Sequence, residues 1–146
     1  MSGVIGRFAR LSCRERGLRL EAAAALAVAS AAISVMPFRR VMALARPVTA
    51  PPRPAADEER AVRAIRLAIA ACARRVPWRA LCLEQALASQ WMLGRRGIGS
   101  TIHYGVARGG AGLAAHAWVR TPRLEVIGCE NAGDFAELAR FPTPPG

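Results

Sequence analysis

Pro77-Trp78-Arg79-Ala80-Leu81-Cys82-Leu83-Glu84-Gln85-Ala86 is the stretch on which the reading of this chain turns. Pro77 closes one helix, since it lacks an N–H to donate. A second apolar pattern of helical period then runs from about Arg79 to Leu93, with Gly94 or Gly97 as its C-cap. Cys82 therefore lies just inside a helix start, where the positive end of the helix dipole favours a thiolate. Beyond it the period changes to two. Ile102, Tyr104 and Val106 alternate with Thr101, His103 and Gly105. A glycine turn (109–112), a strand Ala115–Arg120, a turn Thr121-Pro122-Arg123 and a strand Leu124–Ile127 follow. Upstream, Asp57-Glu58-Glu59 opens a helix whose apolar face is Val62, Ile65, Ile69, Ala70 and Ala73, opposite Arg63, Arg66 and Arg74. Helix, cysteine-bearing helix, then antiparallel meander is an α+β order.

The second chemical residue is His116, which opens His116-Ala117-Trp118-Val119 as the one ionisable group of an apolar strand start. Such a histidine needs a hydrogen-bond partner or a cleft, and can relay a thiol proton to a leaving group. Against this stands a plainer reading of Cys82 as a small core residue sharing a face with Ala86, Ser89 and Leu93. Cys13 and Cys72 lie in helical apolar patterns and read as packing residues; Cys129 follows the last strand without an obvious chemical partner. His103 reads as structural or surface. A third group should orient the imidazole, and the candidates are Glu125, Glu130 and the adjacent Asn131. Each is equally well read as a solvated turn residue. Trp78, one turn before Cys82, reads as a wall of the same pocket.

Working outward, residues 1–46 form an N-terminal helical extension, 47–56 a proline-rich linker and 57–146 the compact domain. The extension is arginine-rich, then apolar from Leu20 to Phe38 with Glu21 as its sole charge, and Arg39-Arg40 closes it. That length just reaches across a bilayer, and Ala27-Val28-Ala29-Ser30-Ala31-Ala32 mimics a signal-peptidase site. Alanine contributes little to insertion, however, and arginines flank both sides. The preferred reading is a helix packed on the next domain or resting on a membrane surface through residues 20–38. In the linker, four prolines within Pro47–Pro54 forbid a helix and favour an extended path.

Composition narrows the classes further. The chain has 146 residues, enough for one core, and 53% are hydrophobic, which argues against disorder. Its net charge is +11 with no lysine, so a cationic arginine surface suits an acidic peptide, a nucleic acid or an anionic membrane. Nucleic acid is the weakest of these. The arginines are scattered, and Phe8, Phe38, Trp78, Trp91, Trp118, Phe135 and Phe141 read as core rather than as a stacking platform. No C-x-x-C pair or zinc spacing appears, and a phosphate-binding P-loop is impossible without lysine. Nothing suggests a disulfide framework, so a reducing cytoplasm is the default.

Several of these features recur together in a known family. The Cys82-Leu83 helix start, Trp91-Met92-Leu93-Gly94-Arg95-Arg96-Gly97, Ile102-His103-Tyr104-Gly105-Val106, and His116-Ala117-Trp118-Val119 with Gly128 and Phe135 downstream are ordered as in one group. Taken in that order, the chain resembles the lasso-peptide biosynthesis B2 proteins, transglutaminase-like cysteine peptidases. Met36-Pro37-Phe38-Arg39-Arg40 is similar to the end of the N-terminal extension in stand-alone members. The resemblance implies a transglutaminase/papain-like core: helices, then a small antiparallel sheet, preceded by the helical extension. It also implies a leader peptidase that frees the precursor's amine for an asparagine-synthetase-like cyclase. Carried over by position, Cys82 is the nucleophile and His116 the acid/base. Where the family commonly has an aspartate this chain has Gly128, so Glu130 is the candidate third member and a Cys82–His116 dyad the alternative. No metal or cofactor is implied. A separate leader-binding protein is expected, because residues 1–46 lack a winged-helix strand pattern. Two other readings remain: a different acyl transfer on the same fold, and a membrane-associated peptide-binding scaffold without catalysis.

Overall fold

The computed structural model describes residues 2–45, 47, 48, 51, 53–78, 80–110 and 112–142. The expected helix start at Arg79, linker positions 49, 50 and 52, the extension's last residue Arg46, the domain end at 143–146 and the Phe8 side chain lie outside them. In chain order the elements are α1 (Ser2–Ala9), α2 (Cys13–Val35), α3 (Phe38–Met42), α4 (Ala55–Ala73) and α5 (Cys82–Arg95). They are followed by β1 (Thr101–Gly109), β2 (Gly112–Arg120), β3 (Glu125–Ile127), a 3-10 turn (Ala132–Asp134) and β4 (Ala136–Phe141). The fold is α+β, with an antiparallel sheet in the order β3-β2-β1-β4.

The start of α2 and the end of α5 have clear local causes. Ser12 caps α2 in a reciprocal box: its hydroxyl accepts from the Glu15 N–H at 3.2 Å, while the Glu15 carboxylate accepts from the Ser12 N–H at 2.8 Å. α5 ends with the Ile98 N–H on the Leu93 carbonyl at 3.0 Å and the Gly97 N–H on Gly94 at 3.0 Å. Gly97 makes this closure with a φ of 71°, a backbone shape that glycine adopts without strain. The C-terminal glycine is thus Gly97, the second of the two candidates.

α5 is the central helix. Ala86, Leu87, Ala88, Ser89, Met92 and Leu93 are all buried, because α5 packs on α2, α4 and the inner sheet face. That face carries Ile102, Ala117, Val119 and Val126. Ala22, Leu26 and Ala29 of α2 join the same cluster. Residues of α2 thus pack into the same core as those of α4, α5 and the sheet. At the bilayer-length helix this packing is reinforced by Glu21, which takes two bonds from Arg96 at 2.9 and 2.7 Å. α2 is nonetheless long and apolar enough to cross a membrane, with a mean hydropathy of 1.6 over its most apolar stretch.

Two features were not expected from sequence. β4 adds a fourth strand, pairing antiparallel with β1 so that β1 becomes interior. Glu58 lies in the first turn of α4 as expected, but it is buried and also reaches the β2–β3 turn. It accepts from Thr121 Oγ1 at 2.8 Å and is paired with Arg123. The Thr121 hydroxyl also accepts from the Leu124 N–H at 3.0 Å, so one side chain fixes both the turn and its attachment to α4.

Candidate active site

Cys82 is the first residue of α5. The Gln85 N–H is the first to close on the helix, donating to Leu81 at 3.0 Å. N–H groups ahead of it in the first turn have no acceptor within the helix, and they sit at the positive end of the dipole. Leu81 supplies no side-chain cap. The N-terminal turn is thereby left open toward whatever lies beside Cys82.

What lies beside it includes His116. Cys82, His116, Ala80, Leu81, Gln85, Ala117, Ile127 and Gly128 line one cavity of about 260 Å³. α5 and the β2–β3 edge form its walls, so two residues 34 positions apart in sequence (116 minus 82) share a space of small-molecule size. Gln85 is fixed by donating its side-chain N–H to the Ala80 carbonyl at 2.8 Å.

His116 is held on three sides. Its Nε2 lies 2.7 Å from the Gly128 carbonyl oxygen. A carbonyl has no proton to give, so Nε2 must carry the hydrogen and donate it. Nδ1 is then left with the lone pair that a general base uses. The ring stacks on Trp118 with centroids 5.9 Å apart and meets Phe135 at 5.0 Å. Trp118 is in turn stacked on His103 at 5.6 Å and 8°. This aromatic row requires Gly105, where a Cβ would come within 2.8 Å of the Ala136 carbonyl and 3.0 Å of the Trp118 ring. His103 completes the row by pairing with Glu137.

The remaining predicted residues fall as follows. Glu130 is exposed in the turn after β3 and is outside the cavity wall; the imidazole instead meets the Gly128 carbonyl. Glu125 is paired with Arg120 at 3.4 Å, and Asn131 is exposed. Trp78 is exposed and does not line the Cys82 cavity, contrary to the expected wall. Burial pushes the Cys72 and Cys129 thiols up. Cys72 donates to the Arg19 carbonyl at 3.2 Å, and Cys129 lies 3.3 Å from that of Val119, the partner that sequence did not reveal. Among the described residues no three His, Cys, Asp or Glu side chains gather as a metal ion needs. The Gly128 carbonyl was not foreseen, because no side-chain code marks a main-chain acceptor. The one available signal was a glycine at that spacing, and its φ is 74°.

Comparison with known proteins gives one match. The family model described as the transglutaminase-like superfamily matches residues 23–140, from within α2 to within β4. No curated protein and no solved structure was found to match the chain.

Proposed function

The chain belongs to the transglutaminase-like superfamily, and from that premise we propose that it is a cysteine peptidase that removes the leader from a ribosomally made lasso-peptide precursor. The observation that carries this reading is the shared cavity, with Cys82 on the first turn of α5 and a His116 whose Nε2–H is committed to Gly128. The superfamily supports cysteine chemistry; the substrate class rests on the ordered sequence resemblance.

In the proposed reaction Cys82 Sγ loses its proton to His116 and attacks the carbonyl carbon at the leader–core junction. The oxyanion is met by backbone N–H groups at the start of α5, Cys82 foremost. His116 then delivers its proton to the departing amine of the core, leaving a leader thioester. Water, deprotonated by the same ring, hydrolyses that thioester and restores the thiol. The Gly128 carbonyl orients the ring in the role proposed for Glu130 in the sequence reading. The released amine is the group an asparagine-synthetase-like cyclase joins to a side-chain carboxylate. A separate leader-binding protein presents the precursor, and the reaction belongs in the cytoplasm, where the precursor is made.

The test is cleavage of such a precursor, with and without the leader-binding protein, followed by mass spectrometry. Cys82→Ala and His116→Ala are each expected to lower turnover by roughly a thousandfold or more, as loss of a catalytic nucleophile or base does. Unchanged cleavage by Cys82→Ala overturns the mechanism. Productive capture of the acyl group by an added amine would instead mark another acyl transfer.

A further inference from the structure

We propose that the outer face of α2 and α4 docks this protein on an anionic bilayer surface. The inward stripe of α2 is occupied by the core, whereas its outward stripe is Leu20, Ala24, Val28, Ala31 and Val35. These recur at steps of four, four, three and four, so they lie along one side of the helix. Leu20, Val28 and Val35 are 63%, 58% and 80% exposed. These five are all apolar across the sixteen residues from Leu20 to Val35, a length of about 22 Å, and the exposed Ser34 beside them donates its hydroxyl to the Ser30 carbonyl. On α4, Leu67 is 61% exposed one turn from Ala71, extending the apolar surface sideways.

A second observation names the chemistry of the partner. Between the start of α2 and the end of α4 lies a groove of about 260 Å³, with Leu20, Ala23, Ala71 and Pro77 among its apolar walls. Arg7, Arg19 and Arg75 also line it, and its walls include no acid, the Glu15 carboxylate that feels the charge of Arg19 standing outside them. No salt bridge among the described residues takes any of these three. At the other end of the stripe, Arg39 and Arg40 are exposed. Apolar surface with cations at both ends fits acyl chains beneath a layer of phosphate groups. The groove is sized for part of one chain, with the three guanidinium groups beside its headgroup.

A second copy of this chain fits poorly on the same face. Pairing α2 with itself, parallel or antiparallel, brings arginine ends against arginine ends. The acids that might offset them already serve this chain, Glu15 in the Ser12 cap beside Arg19 and Glu21 in its pair with Arg96. A transmembrane span fits poorly as well, since it would strip α2 from the core and break the Glu21–Arg96 pair.

Sedimentation with vesicles tests the proposal independently of catalysis. The full chain should bind vesicles of phosphatidylcholine with phosphatidylglycerol at least tenfold better than phosphatidylcholine alone, with the difference falling in high salt. Arg19→Gln and Arg75→Gln should each weaken binding about fivefold. Val28→Gln, at an exposed site, should lower it further while circular dichroism stays unchanged. Equal binding to both vesicle types, or none, overturns the proposal. So does a dimer in solution that Val28→Gln converts to monomer without any vesicle binding.

Discussion

His116 shows how a single hydrogen bond defines a chemical role. With Nε2 committed to Gly128, the ring has one free nitrogen, and the aromatic row limits its rotation. Gly128 is itself constrained: its φ of 74° favours glycine, and a Cβ would stand 2.8 Å from the Ala117 carbonyl and 3.3 Å from His116 Nε2. Gly128→Ala should cost about 1–2 kcal/mol of stability and lower turnover more than substrate affinity. Urea unfolding and a separation of kcat from KM measure the two effects. At this scale the pair that lines the cavity stood out in sequence because each member departs from its local pattern: a thiol at a helix start, an imidazole in an apolar strand. The Gly128 carbonyl that meets the imidazole was not legible, because every side-chain candidate competed with an acceptor common to all residues.

Among the elements, period and punctuation carried the reading far. Period 3.6 found α4 and α5, period two found β1 to β3, and Gly97 closes α5 as a C-terminal glycine does. β4 escaped because Ala136-Glu137-Leu138-Ala139-Arg140-Phe141 has no clean alternation, as befits an edge strand whose Leu138 is 64% exposed. The Glu58–Thr121–Arg123 link escaped for another reason: helix-start acids are ordinarily satisfied locally, and nothing in sequence announces a partner 63 positions away. Thr121→Val removes one donor from a buried carboxylate and the acceptor for Leu124. The expected loss is about 1–3 kcal/mol, readable as a lower urea midpoint, with Thr121→Ser retaining most of the stability.

Across the whole molecule, helices and sheet are held together by α5 and by the Glu21–Arg96 pair that ties α2 to the end of that helix. The Arg96 guanidinium holds the Glu21 carboxyl below its ordinary 4.5. The pair therefore stabilises the fold fully above that value, and its contribution fades as pH falls through the lower native value. Thermal melts should show wild type losing its advantage over Glu21→Gln on acidification, from about 1–2 kcal/mol near neutrality toward nothing at low pH. Chain path matters in a different way at Gly128. A catalytic carboxylate is written in one codon and can be lost by a single base change. The acceptor behind His116 is written in no codon of its own: it is inherited as the course of the backbone out of β3, braced where Cys129 meets the Val119 carbonyl. On the proposed mechanism, a substitution scan of this protein would thus reveal two chemically irreplaceable side chains and, in place of a third, a short segment intolerant of changes in shape.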